Sequence, residues 1–129
     1  MYIESDLLYA YLKQEDWLKK YSLLVLKKFK VVTSVITITE LEIVSKRDFG
    51  NNFANSVLEN LQKIKNLNFI DLDVKILEKS VDLRKRFELN IFDALHAASA
   101  IISKKDIIST DKIFDKVENL KRIDPRKVS

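Results

Sequence analysis

The chain has 129 residues, 47% hydrophobic and 33% charged, with a formal net charge of +4; it can bury one core and nothing in it marks a second, so a single domain over residues 1–129 is expected. The lack of cysteine excludes disulfides, thiolate metal sites and thiol nucleophiles. The most apolar stretch, residues 22–38, is broken by Lys27, Lys28 and Lys30, and no basic segment leads an apolar run at the N-terminus, so neither a membrane span nor a secretion signal is expected and the composition reads as that of a soluble, cytoplasmic protein.

In chain order, Tyr2-Ile3-Glu4 reads as a brief strand, followed by a helix over Leu7 to Leu12. Asp16 is expected to cap a second helix, whose apolar face would hold Trp17, Leu18, Tyr21, Leu24, Val25 and Phe29. This face could serve the core or a dimer contact. Val31-Val32-Thr33 is a β-branched strand. A helix from about Thr37 carries Ile38, Leu41, Ile43 and Val44 and stops at the only glycine, Gly50, a C-cap or turn position. Phe53 to Lys65 is an amphipathic helix, Asn68 to Leu72 a strand, and a further helix runs from Val74 to about Phe87. Asn90 then caps a helix over Ile91 to Ser103, whose Ala94, Ala97, Ala98 and Ala100 allow close packing. Ile107-Ile108-Ser109 and Leu120 to Ile123 supply the last strands. Short strands separated by helices predict an α/β fold, a three-layer α/β/α sandwich around a central, mainly parallel sheet.

Four acidic positions, Glu4, Glu40, Asp93 and Asp111, lie where a strand gives way to a helix or inside the helix that follows. In an open parallel sheet such junctions collect at one edge. Like charges about 4 Å apart at an effective dielectric of about 20 repel by roughly 4 kcal/mol, so a converged set must take up protons, spread apart or bind a cation. Oxygen ligands alone suit a hard ion, Mg²⁺ or Mn²⁺. Each residue also has a plain structural role open to it. Asp93 stands three residues after Asn90, as in a capping box, and Asp111 could cap the turn that follows it. Glu40 interrupts an otherwise apolar helix, and Glu4 sits beside Ile3 at the end of a core strand, where an unpaired carboxylate is costly. His96, the only histidine, reads either as a catalytic base or as a packed imidazole bonded to a carboxylate. Ser109, Thr110, Thr33 and Ser34 could orient neighbours or cap turns. Basic clusters such as Lys27-Lys28-Lys30, Arg84-Lys85-Arg86 and Lys121-Arg122 read as solvated faces or as phosphate-attracting surface around the acidic centre.

Four segments resemble the four motifs of the PIN-domain family: Ile3-Glu4-Ser5-Asp6-Leu7-Leu8, Thr37-Ile38-Thr39-Glu40-Leu41, Phe92-Asp93-Ala94-Leu95-His96-Ala97-Ala98 and Ser109-Thr110-Asp111-Lys112-Ile113-Phe114. Order and spacing agree over essentially the whole chain, and its length is most similar to VapC-type toxins of toxin-antitoxin pairs. Glu4 occupies a position the family usually gives to Asp, and Asp6 stands at the second polar position, so both enter the expected ligand set. The resemblance implies a metal-dependent endoribonuclease. Glu4, Glu40, Asp93 and Asp111 would be its catalytic carboxylates and, with Asp6, would hold one or two Mg²⁺ or Mn²⁺ ions while water attacks an RNA phosphodiester in line. It also implies a cognate antitoxin protein and a homodimer. Two other classes compete: an RNA-binding module without chemistry, and an interaction subunit using exposed apolar helix faces.

Overall fold

The computed structural model describes residues 1–129. Five strands, β1 (Tyr2–Ile3), β2 (Val31–Ser34), β3 (Leu67–Ile70), β4 (Ile107–Ile108) and β5 (Arg122–Ile123), form one sheet in the order β3-β2-β1-β4-β5. Every pairing is parallel, with Tyr2 opposite both Val32 and Ile107 and Ile3 opposite Ile108. Six helices complete the fold: α1 (Ser5–Leu12), α2 (Lys19–Lys28), α3 (Val35–Phe49), α4 (Asn51–Gln62), α5 (Val74–Phe87) and α6 (Ile91–Ile102). No helix is long and apolar enough to cross a membrane.

Two-residue strands persist because the sheet is buried on both faces, as parallel sheets generally are. Side chains alternate along a strand, so Ile3 and Ile108 join Leu7, Leu8, Val25, Leu41, Val57 and Leu61 in one core. Tyr2 and Ile107 join Ile76, Leu83, Phe114 and the alanines of α6 in the other. The chain therefore lays α1–α4 on one face and α5 and α6 on the other. Strand order runs outward from β1 through β2 to β3, then returns to β4 on the far side of β1. That reversal puts a crevice at the carboxyl ends of β1 and β4, the place where open parallel sheets bind ligands.

Several boundaries move from those expected. Asp16 Oδ1 accepts the Leu18 N–H at 2.8 Å and caps a turn, and α2 starts only at Lys19. Trp17 thus lies outside the helix and is 62% exposed, and Phe29 also faces outward, leaving Leu18, Ser22, Val25 and Leu26 as the buried side. The third helix begins at Val35, because Ser34 accepts the Ile36 N–H through its side chain. Ile43 is exposed although its neighbours suggested a core position. Gly50, at φ 93°, ends α3 and starts α4 without an intervening loop, a conformation that favours glycine.

Ala97 and its neighbours on α6 have no exposed surface. Ala97→Leu is expected to destabilise the fold by about 1–3 kcal/mol through overpacking, whereas Ile91→Ala, at a 59% exposed position, should stay within about 0.5 kcal/mol. Urea unfolding followed by circular dichroism distinguishes the two.

Candidate metal centre

Glu4 follows β1 at once and is almost fully buried. Its two carboxylate oxygens accept from the Ser5 hydroxyl and the Ser109 hydroxyl, each at 2.8 Å. Asp6, in the first turn of α1, is fastened to the loop after β4. Its Oδ2 accepts from the Thr110 hydroxyl at 2.7 Å and from the Thr110 N–H at 3.3 Å. The two residues after β4 thus support the two acids after β1, across the junction where the strand order reverses. Ser109 also accepts the Asp111 N–H at 3.0 Å.

Glu40 comes from α3, and its Oε1 lies 2.7 Å from Nε2 of the fully buried His96 on α6. The other ring nitrogen, Nδ1, lies 2.7 Å from the phenol oxygen of Tyr2, which in turn accepts the Ser34 N–H at 3.2 Å. A chain of contacts therefore joins β2, β1, α6 and α3 and ends on a carboxylate. Even with a neutral ring every group is matched: Ser34 N–H to the phenol oxygen, phenol O–H to Nδ1, and Nε2–H to Glu40.

Asp93 sits in the first turn of α6. Its N–H donates to the Asn90 side chain at 2.8 Å, and its Oδ2 accepts from the Asn90 amide at 2.9 Å. Asp111 is exposed, and its Oδ1 accepts the Ile113 N–H at 2.9 Å. Asp111 fills the capping role open to it, whereas Asp93 is itself capped by Asn90 and takes the Asn90 side-chain amide in place of the backbone N–H of a capping box; the two acids also stand near one another. Burial pushes the Asp93 carboxyl up, and the charges of Asp111 and Glu40 push it the same way.

The same pressure is stronger around β1. Burial raises Glu4, with Glu40 adding to it while hydrogen bonds from Asp6, Ser109 and Ser5 oppose it. Burial and then the Glu4 charge push Asp6 up to about 8, which favours its protonated form beside Glu4. His96 would be pushed down by its burial, but the Tyr2 oxygen and the Glu40 carboxylate prevail and lift it to about 9.

Glu4 and Asp6 form one group, Glu40 with His96 a second, and Asp93 with Asp111 a third; Glu40 lies within electrostatic reach of both Glu4 and Asp93. No three of these side chains stand together at ligating distance. The donor chemistry nevertheless fits a hard divalent cation, being all oxygen with several carboxyls displaced upward by burial and, after it, by neighbouring carboxylates. In the sequence Tyr2 reads as an ordinary strand residue and Arg84 only as part of a basic cluster, so neither stands out as a functional group. Arg84 lines an open cleft with Glu40, Asn90 and Asp93. The helical patterning of α5 would have placed Arg84 one position past the buried Leu83, but that signal is weak.

A pH dependence follows for the metal-free protein. Asp6 ionises near 3.8 when unfolded and near 8 when folded, so stability falls as pH rises between those values. His96, raised from 6.5 to about 9, contributes stability that is complete below pH 6.5 and lost as pH climbs through 9, with the same sign. Thermal unfolding in EDTA should show lower stability at pH 8.5 than at pH 6, with a slope of at most about 1.4 kcal/mol per pH unit for each proton. Asp6→Asn should lessen that slope and leave the His96 share, because the amide cannot ionise.

The PIN-domain profile matches residues 1–120. No curated protein matches the sequence. Among solved structures, the chain is similar to VapBC2 of Rickettsia felis bound to a DNA fragment from its promoter, at 19% identity, TM-score 0.72 and coverage of 95% of this chain and 96% of that one. It is similar also to a toxin-antitoxin complex from Klebsiella pneumoniae, at 18% identity, TM-score 0.73 and 98% coverage of both chains. A third is VapC20 of Mycobacterium tuberculosis, a toxin that cleaves the sarcin-ricin loop, at 14% identity, TM-score 0.74 and coverage of 86% and 89%. At these identities the neighbours speak to fold alone, while the profile spans nearly the whole sequence, and the chain belongs to the PIN-domain family.

Proposed function

We propose that this chain is a Mg²⁺- or Mn²⁺-dependent endoribonuclease, the toxin of a toxin-antitoxin pair, acting as one domain over residues 1–129. The observation that carries this reading is that carboxylates from four separate segments stand within electrostatic reach of one another near the carboxyl ends of β1 and β4, with Glu4, Asp6 and Asp93 all pushed upward, by burial first and then by a neighbouring carboxylate. Glu4, Asp6, Glu40, Asp93 and Asp111 are the residues that would hold the ion. When bound, a divalent ion supplies charge neutralisation at the phosphodiester and favours in-line attack by water. The relative that cleaves the sarcin-ricin loop supports RNA as the substrate class. The toxin-antitoxin complexes among the neighbours support an antitoxin protein as partner, and the homodimer rests on the family resemblance alone.

The chain's own groups prepare the site. Ser109 and Ser5 hold the two oxygens of Glu4 apart and directed. Thr110 fixes Asp6 through two bonds to one oxygen, leaving the other to the α1 backbone at Leu7. His96, locked between Tyr2 and Glu40, restricts the Glu40 rotamer, and Asn90 does the same for Asp93. With Asp6 pushed up to about 8 and Glu4 raised beside it, protons compete with a cation for these carboxylates, so affinity for Mg²⁺ should rise with pH toward 8. One observation favours a second reading, an RNA-binding module without chemistry: Glu4 stands where the family usually places the shorter Asp.

Purified protein should cleave a mixed pool of structured RNAs in Mg²⁺ or Mn²⁺ but not in EDTA, and Asp93→Asn should lower the rate by at least about 100-fold. Cleavage undiminished in Asp93→Asn would count against this site. RNA that is bound in EDTA but never cut in metal would favour the binding module.

A further inference from the structure

Neither the acidic constellation nor the core accounts for Arg84, in the last turn of α5. It is half-buried and lines the open cleft with Glu40, Asn90, Phe92 and Asp93. Its Nε is shut away from solvent with no hydrogen-bond partner. Its neighbour Arg86 is satisfied instead, 2.7 Å from Glu118 and 3.6 Å from Asp82, and Lys85 is exposed.

A permanently charged group with a buried, unmatched donor is costly to keep, and the guanidinium fork matches two oxygens of a phosphate. No carboxylate in the cleft pairs with Arg84, and the start of α6 adds free donors to it. At the rim of the same cleft, α6 begins at Ile91, and Asn90 caps Asp93, so the amides of Ile91 and Phe92 have no acceptor within the helix. Glu40 and Asp93 would repel a phosphate brought beside them, and Arg84 is the cation placed to offset that repulsion. We infer that Arg84 is a phosphate-positioning residue, taking the non-bridging oxygens of a single-stranded RNA phosphate next to the carboxylates. The inference rests on the nuclease reading for its substrate class, and it concerns a cation outside the expected ligand set.

Binding of a short, mixed-sequence single-stranded RNA, followed by fluorescence anisotropy in Ca²⁺ across a salt series, tests it apart from cleavage. Arg84→Gln should bind about tenfold more weakly, and the slope of log affinity against log salt should shrink by about 0.7, one phosphate contact. Lys85→Gln, at the exposed neighbour, should change affinity by less than about twofold. Arg84→Lys should keep the slope, because the charge remains, yet lose affinity, because the fork is gone; that variant also carries the test should Arg84→Gln not fold, which its unfolding curve reveals. Affinity and slope for Arg84→Gln equal to those of Lys85→Gln would overturn the inference, as would wild-type protein that binds no RNA. Arg84-dependent binding without any cleavage in Mg²⁺ or Mn²⁺ would sustain the phosphate contact and remove the nuclease reading. Cleavage with unchanged KM and affinity in Arg84→Gln would do the reverse.

Discussion

Burial of carboxylates that stand within electrostatic reach of one another at one edge of a parallel sheet is the constraint around which this structure is arranged. Two such charges about 4 Å apart cost roughly 4 kcal/mol at an effective dielectric of about 20, a large fraction of the stability of a small domain. The chain relieves the cost locally. Asp6 favours its protonated form beside Glu4, serine and threonine hydroxyls donate into both acids, and a buried histidine faces Glu40. Each device lowers the energy of the metal-free state while holding oxygens in place.

The order of the strands explains why these devices come from distant segments. Because β4 returns to the side of β1 opposite β2, the residues after β1 face those after β4, and Ser109 and Thr110 can serve Glu4 and Asp6 more than a hundred positions earlier in the chain. On the α5/α6 face, the alanines of α6 let that helix approach the sheet closely enough for His96 to reach Tyr2. Core packing and site geometry are the same contacts seen from two sides: Tyr2 is both a buried ring in the core and the far anchor of Glu40.

The distribution of basic residues reconciles an acidic centre with a net charge of +4. Several arginines are engaged with acids near the surface: Arg47 with Asp48, Arg86 with Glu118, Arg122 with Asp115 and Arg126 with Asp124. Exposed pairs of this kind add little stability, but they remove those cations from the pool free to meet a ligand. The uncompensated positive charge is left with the exposed lysines and with Arg84 in the cleft.

The amino-acid sequence by itself determined the class of fold, since strand and helix periods, β-branched runs and cap residues act within a few neighbours. It also marked Glu4, Glu40, Asp93 and Asp111, because charged residues stand out against apolar segments at strand-helix junctions. Helix starts were less legible: α3 begins at Val35 behind a Ser34 cap, two residues before the expected start near Thr37, and Asp16 caps a turn before α2, since the residue that caps depends on which backbone amides tertiary packing leaves free. Only the tertiary structure decided that Thr110 belongs to Asp6, that Tyr2 stands behind His96 and that Arg84 shares a cleft with Asp93. Those pairings depend on strand order and helix approach, and the distances that make a hydrogen bond or a pKa shift exist only after segments far apart in the chain have been packed together.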